Sequence, residues 1–137
     1  MRIFLDTNVL VSAFATRGLC ADVLREILTS HLLIISAPLL NELEHILKEK
    51  IGIPQEFVEE IIELLKRDAC FVTSSTLYDI DIKDTDDVVI LSSALEGKAD
   101  LFITGDKEIL DLGKVQDMTI VSPRKFWEKL KSITNEK

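Results

Sequence analysis

The sequence predicts an α/β domain built on a mostly parallel sheet, and three observations carry that expectation. Short apolar runs alternate with longer segments of helical period, the pattern of repeated strand–helix–strand units. Most of the runs are continuously apolar rather than alternating, as strands covered on both faces require. The chain has 137 residues, 47% of them hydrophobic, which suits one core at about 100–200 residues per domain.

The elements follow in order. Residues 2–5 form the first strand, an Ile3-Phe4-Leu5 run ended by Asp6, and 8–15 and 20–30 carry helical period. The second strand is expected at 33–35. A helix over 37–50 comes next, with Ser36 as N-cap and Pro38 in its first turn. Its stripe is Leu39, Leu40, Leu43, Ile46 and Leu47. The helix at 54–68 is the best marked: Pro54 opens it, Glu56, Glu59 and Glu60 come early, and Lys66 and Arg67 come late. That order suits the helix dipole, and Phe57, Ile61, Leu64 and Leu65 supply an apolar stripe. Strands at 70–73, 101–104 and 119–121 then alternate with helices at 85–97, 106–112 and 123–132. No repeat, low-complexity tract or linker interrupts the alternation, so residues 1–137 are expected to form one domain.

Composition removes several classes. Five Gly and three Pro are too few for a collagen-like or disordered chain. The longest charge-free stretch, 27–41, has 15 residues and includes Thr, Ser, His and Pro. A spanning helix needs roughly 20 apolar residues, so no membrane segment is expected. Asp6 comes too early for a secretory signal, which points to a cytoplasmic protein. Cys20 and Cys70 form neither a CxxC pair nor a zinc spacing, and are expected as free buried thiols. The net charge is −8 and unevenly spread: residues 114–137 hold six basic and three acidic residues, and residues 1–113 hold ten and 21. That surplus of acid argues against a protein that grips nucleic acid mainly by a basic surface.

In a parallel α/β sheet, ligands bind beyond the carboxyl ends of the strands, so the polar residues at those ends matter most. Asp6 ends the first strand, and Asp106 follows the 101–104 strand across Gly105. Singly, each is also what a helix cap or turn would use. In Asp84-Thr85-Asp86-Asp87, Asp84 suits an N-cap. Asp87 precedes Ile90, Leu91 and Ala94 by three, four and seven residues and so projects into their apolar stripe, whereas Asp86 points to solvent. A carboxylate on a buried helix face is costly unless paired, hydrogen-bonded or bound to metal. Glu42 and Glu44 flank the stripe of their helix on opposite sides, and the helical wheel does not choose between them, although Glu42 is a half-turn nearer the strand's carboxyl end. Converging carboxylates persist when a hard cation neutralises them, and oxygen-only ligation suits Mg²⁺ or Mn²⁺. His31 and His45 have no partner at ligand spacing, and no glycine-rich phosphate loop exists.

These residues resemble the PIN domain, the metal-dependent ribonuclease fold of VapC-type toxins. Asp6-Thr7-Asn8-Val9-Leu10 after an apolar strand looks like that family's opening. Ser36-Ala37-Pro38-Leu39-Leu40-Asn41-Glu42-Leu43 resembles the helix bearing its second acid, which selects Glu42. Asp84-Thr85-Asp86-Asp87 followed by Ile90-Leu91-Ser92-Ser93-Ala94 resembles the third-acid helix and selects Asp87. Ala99-Asp100-Leu101-Phe102-Ile103-Thr104-Gly105-Asp106 is close to the final motif and selects Asp106. Ile120-Val121-Ser122-Pro123 is similar to the close of stand-alone members. The resemblance covers nearly the whole chain. It implies a three-layer α/β/α fold with five strands in the order 3-2-1-4-5, homodimers, and Mg²⁺- or Mn²⁺-dependent cleavage of RNA, often restrained by a small antitoxin. Asp6, Glu42, Asp87 and Asp106 would hold the metal, with Asn8 and Thr104 supporting the acids and Asp84 as cap or additional ligand.

Other readings compete. A PIN-like module can bind RNA or protein after losing activity, but such a module should have lost one of the four acids, and all four are present. A phosphatase using an aspartyl phosphate would need a second Asp where Asn8 stands. A receiver would need an acidic pair at the first strand and an Asp ending the third, where Thr73-Ser74-Ser75 follows. The 123–131 segment carries Arg124, Lys125, Lys129 and Lys131 among Phe126, Trp127 and Leu130, which suits a core-packing amphipathic helix with solvated lysines. Lys129 and Lys131, with Arg17 in the loop after the first helix, are the candidate contacts to RNA phosphates.

Overall fold

The computed structural model describes residues 1–73 and 76–135, with side chains as far as residue 132. Its first apolar run forms the central strand β1 (Arg2–Leu5), flanked by β2 (Leu32–Ser36) and β4 (Leu101–Ile103). With β3 (Cys70–Val72), β5 (Lys114–Val115) and β6 (Met118–Val121), the sheet runs β3-β2-β1-β4-β6-β5. Five strands pair in parallel in the expected order. The sixth, β5, pairs antiparallel with β6 and makes the sheet mixed. It consists of Lys114 and Val115 alone, with Gln116 at φ 52 in the turn that follows, and so leaves no apolar run to read. Ser74 and Ser75, which follow the third strand, lie outside the described residues.

The helices are α1 (Thr7–Ala15), α2 (Leu19–Ser30), α3 (Ala37–His45), α4 (Gln55–Asp68), α5 (Thr85–Glu96), α6 (Lys107–Leu110) and α7 (Pro123–Asn135). Connections from β1 through β2 to β3 step one way across the sheet, and those from β3 through β4 to β6 step the other way. Right-handed crossovers therefore lay α2 and α4 on one face and α5 on the other. α3 starts at the carboxyl end of β2 and touches both α1 and α5, while α7 returns to pack on α2. The segment before α5 is tied down by Tyr78, whose N–H donates to Ser92 Oγ at 2.9 Å and whose hydroxyl donates to Glu96 Oε1 at 2.7 Å.

Ile3, Phe4, Leu5, Ile34, Ile35, Phe102 and Ile103 are fully buried between the helical layers, as continuous apolar strands should be. Phe4 and Phe102 are paired residues on β1 and β4, and their rings stack at 5.4 Å. Three expectations change. The helix expected over 37–50 is α-helical only to His45 and continues as a π-helical turn, Ile46–Ile51, ended by Gly52 at φ 83; Leu47 stays buried through the change. On α4 the fully buried residues are Val58 and Leu65, whereas Phe57 is 52% exposed and Ile61 and Leu64 are half-buried. That helix covers β2 near the sheet edge beside α3, so only a narrow stripe of it faces the core. Cys20 and Cys70 are free, but half-buried rather than buried.

Helix α5 ends by pressing Gly97 onto the sheet. A Cβ at Gly97 would lie 2.5 Å from Ile34 Cγ2 and 2.8 Å from Val72 Cγ2. The next residue, Lys98, takes the left-handed conformation at φ 56 that turns the chain toward β4. Arg2 locks the same corner, donating from Nε to the Gly97 carbonyl at 2.8 Å and from its backbone N–H to Asp100 Oδ2 at 2.8 Å. Two neighbouring substitutions should therefore act oppositely in urea denaturation. Gly97→Ala should cost about 1–3 kcal/mol through overpacking, and Lys98→Gly should add about 1 kcal/mol by relieving the left-handed backbone.

Candidate active site

Strand order reverses between β1 and β4, which opens a crevice at their carboxyl ends. Asp6 stands there, directly after β1, with its N–H bonded to the Ile103 carbonyl at 2.9 Å. It is the N-cap of α1 and only 7% exposed. Its Oδ1 accepts the Thr7 N–H at 2.8 Å, and its Oδ2 accepts the Thr104 hydroxyl at 2.7 Å. Thr104, fully buried after β4, itself accepts the Asp106 N–H at 3.0 Å. One hydroxyl thus joins the two acids at the strand ends. Asp106 is half-buried and caps α6, accepting the Glu108 N–H at 2.9 Å.

Helices α3 and α5 bring in the other two acids. Glu42 is half-buried on α3, and its charge acts on both Asp6 and Asp87. Glu44, which the helical wheel could not separate from it, turns to α4 among Glu59, Glu63 and Lys66. Asp87 is half-buried on the first turn of α5, while Asp86 is exposed. Asp84 caps that helix, its Oδ1 accepting the N–H groups of Asp86 at 2.8 Å and Asp87 at 3.4 Å.

The carboxyls of this group act on one another through repulsion. Burial pushes the Asp87 carboxyl up to about 7, and the carboxylates of Asp84, Asp106, Asp6 and Glu42 add to the rise. Burial also raises Asp6; its bonds from Thr104 and Thr7 oppose that, and Glu42 and Asp106 reinforce it. As the side chains stand, no three His, Cys, Asp or Glu residues among the described ones are placed to hold a metal ion. The donor set nevertheless fits a hard divalent cation. It is made of carboxylates alone, and their mutual repulsion is the charge such an ion would neutralise.

Among the described residues, the others singled out in the sequence make no hydrogen bond or ion pair to the four acids. Asn8 is exposed and, among the described residues, hydrogen-bonds to none of the acids. Arg17 is exposed between α1 and α2. Lys129 and Lys131 are exposed on α7, where Lys131 Nζ sits 5.0 Å from the centre of the Trp127 ring. His31 packs edge-on to Phe126 at 6.0 Å, and His45 is exposed. Thr7 was not singled out: it is fully buried beside Asp6, and its Oγ1 has no hydrogen-bond partner among the described residues. Its place next to the first acid was the only available signal.

Two stability measurements test this geometry. Asp87 keeps its proton in the folded state well above the ordinary value of 3.8, so the folded protein binds more protons than the unfolded chain from about pH 4 to 7. Stability should therefore fall as pH rises through that window. With chelator present, the difference in melting temperature between Asp87→Asn and wild type should grow in favour of the variant from pH 5 to pH 8. Thr104→Val leaves Asp6 Oδ2 without its donor and the Asp106 N–H without its acceptor, and chemical denaturation should show a loss of about 1–3 kcal/mol.

The profile of the PIN domain matches residues 2–108. Comparison with curated proteins by sequence finds no match. Among solved structures, a chain of VapBC2 from Rickettsia felis, bound to a DNA fragment from their promoter, superposes with a TM-score of 0.62 at 15% identity; the match covers 89% of this chain and 98% of that one. VapBC-1 from nontypeable Haemophilus influenzae gives 0.60 at 21% identity, covering 90% and 99%. FitAcB from Neisseria gonorrhoeae gives 0.53 at 17% identity, covering 88% and 97%. At such identities the structural likeness speaks for the fold, whereas the sequence profile spans most of the chain, and on that ground this chain belongs to the PIN domain family.

Proposed function

We propose that this chain is a divalent-metal-dependent endoribonuclease and the toxin member of a toxin–antitoxin pair. The observation that carries the reading is the set of four carboxylates, Asp6, Glu42, Asp87 and Asp106, which act on one another at the reversal of strand order. Membership of the PIN family supports nuclease chemistry. The likeness to VapBC and FitAcB chains supports a small protein antitoxin as partner. A cytoplasmic homodimer completes the proposal; among the described residues no helix is long and apolar enough to cross a membrane.

The four acids are the residues that would hold Mg²⁺ or Mn²⁺, with Asp84 beside them. Bound there, such an ion supplies activation of water and compensation of the charge that develops on a phosphodiester. The rest falls to the chain itself. Thr104 and Thr7 hold both oxygens of Asp6, so its carboxylate is oriented before any ligand arrives. The Asp87 carboxyl, pushed up to about 7, would have to lose its proton to hold a cation, which would couple binding to pH. Asp106 keeps one oxygen on the Glu108 N–H and leaves the other available. Asn8 would contribute from the exposed side, and Arg17, Lys129 and Lys131 are the proposed contacts to RNA phosphates.

The direct test is cleavage of single-stranded RNA by the purified protein with Mg²⁺ or Mn²⁺. Activity should vanish with chelator, and Asp6→Asn should lower it about 100-fold or more. Equal rates for wild type and Asp6→Asn would end the enzymatic reading and leave a PIN-like binding module.

A further inference from the structure

Between the helices that bear Glu42 and Asp87 lies a cavity of about 400 Å³ that none of the four acids lines. It opens where β3 ends, between Pro38 and Asn41 of α3, Val72 and Thr73, and Val89 and Ser93 of α5. Leu77 lines it from the segment before α5 with 64% of its surface exposed. The cavity is continuous in sequence with the acidic site, since Asn41 directly precedes Glu42 and Val89 follows Asp87 by two residues.

Its chemistry selects among ligands. Among the described residues, no Asp, Glu, Lys or Arg lines it, in a chain of net charge −8 with carboxylates on the same two helices. A phosphate or carboxylate would find no cation there and would be repelled by the neighbouring acids, while a cation would find no carboxylate in the lining. A flat, uncharged group with polar edges suits it better. Pro38, Val72 and Val89 offer apolar surface, and the Asn41 carboxamide offers a donor and an acceptor. The Thr73 hydroxyl can do either, and Ser93, whose hydroxyl donates to the Val89 carbonyl at 3.1 Å, keeps lone pairs to accept. Hydrogen-bonding groups beside apolar surface can take the polar edge and the flat face of an unstacked base in single-stranded RNA, here with aliphatic side chains in place of an aromatic platform. We infer that this cavity receives one unpaired nucleobase of the RNA strand beside the bond to be cut, an inference that rests on the ribonuclease reading.

Two measurements test it separately from that reading. Adenosine, guanosine, cytidine and uridine carry no phosphate, so each can be titrated into the full chain with chelator present while amide NMR signals are followed. At least one should shift Asn41, Thr73 and Leu77 saturably, and Asn41→Ala should weaken it about 5- to 10-fold. Single-stranded RNA with one abasic position moved along the strand should be cut about 10-fold more slowly when that position adjoins the cleaved bond. The inference is overturned if no nucleoside moves these signals, if Asn41→Ala binds as tightly as wild type, or if the signals move with protein concentration alone, which would assign the cavity to a second copy. Nucleoside binding without RNA cleavage would remove the ribonuclease reading and keep the base site; cleavage indifferent to the abasic position, with no nucleoside shift, would do the reverse.

Discussion

A carboxylate buried at the carboxyl end of the central strand sets the terms for everything around it. Burying Asp6 without partners would cost several kcal/mol, or force it to stay protonated. Two of its neighbours offset part of that cost. The Thr7 N–H comes from the helix that Asp6 caps, and the Thr104 hydroxyl comes from the end of β4, so α1 and β4 are each tied to one of its oxygens. Thr104 is held in turn, because its N–H bonds to the Val121 carbonyl of β6 at 3.0 Å. A chain of three strand ends and two helix starts thus converges on one carboxylate. The register of β1 against β4, with Phe4 stacked on Phe102, positions those ends.

The same arrangement concentrates negative charge where the fold gains nothing from it. Asp87 occupies a helix face whose other members, Ile90, Leu91 and Ala94, are buried, and an apolar residue there would have extended that stripe. Its carboxyl is instead pushed up to about 7 by burial and by four other acids. A purely structural N-terminal cap would not need this, since Asp84 already accepts the N–H groups of Asp86 and Asp87. The repulsion is tolerated because stability comes from elsewhere, chiefly the apolar strands and the helices on both faces. Local rules broken at one place in an otherwise consistent fold mark a site selected for something other than stability.

How far the sequence could be read follows from which interactions are local. Four of the parallel strands were legible because burial between the helical layers leaves a short apolar run. The fifth, β3, keeps such a run even at the sheet edge, where Phe71 is exposed. Asp6, Asp87 and Asp106 were legible because they stand where such runs or stripes end. Two-residue β5 has no run at all; its pairing depends on the hairpin turn through Gln116. The change from α to π geometry at Ile46 left the apolar spacing intact, so periodicity passed over it. Phe57 was placed in the core because a helical wheel counts apolar positions without knowing how much of the helix the sheet edge can cover. Glu42 and Glu44 are equivalent on an isolated helix and differ only once α4 packs beside one and the carboxyl ends of β1 and β4 face the other. The resemblance had selected Glu42; the helix alone could not.

The charge of the whole chain then limits how RNA could be held. Arg17, Lys129 and Lys131 are solvated and spread over a loop and α7, and Lys131 already lies against Trp127. Among the described residues none of the three forms an ion pair with the carboxylates, whose own charge repels phosphate. On the proposed function, an RNA strand meets this protein through neutralisation of the acids at the cut bond, through uncharged contacts beside it and through the few cations Arg17, Lys129 and Lys131. Charge-neutral contacts depend little on counterion release, so affinity should rest less on ionic strength than in proteins that bind by lysine and arginine. On that reading, an acidic site with few cations near it leaves little sequence-independent affinity for nucleic acid and puts more weight on recognition of shape and of bases.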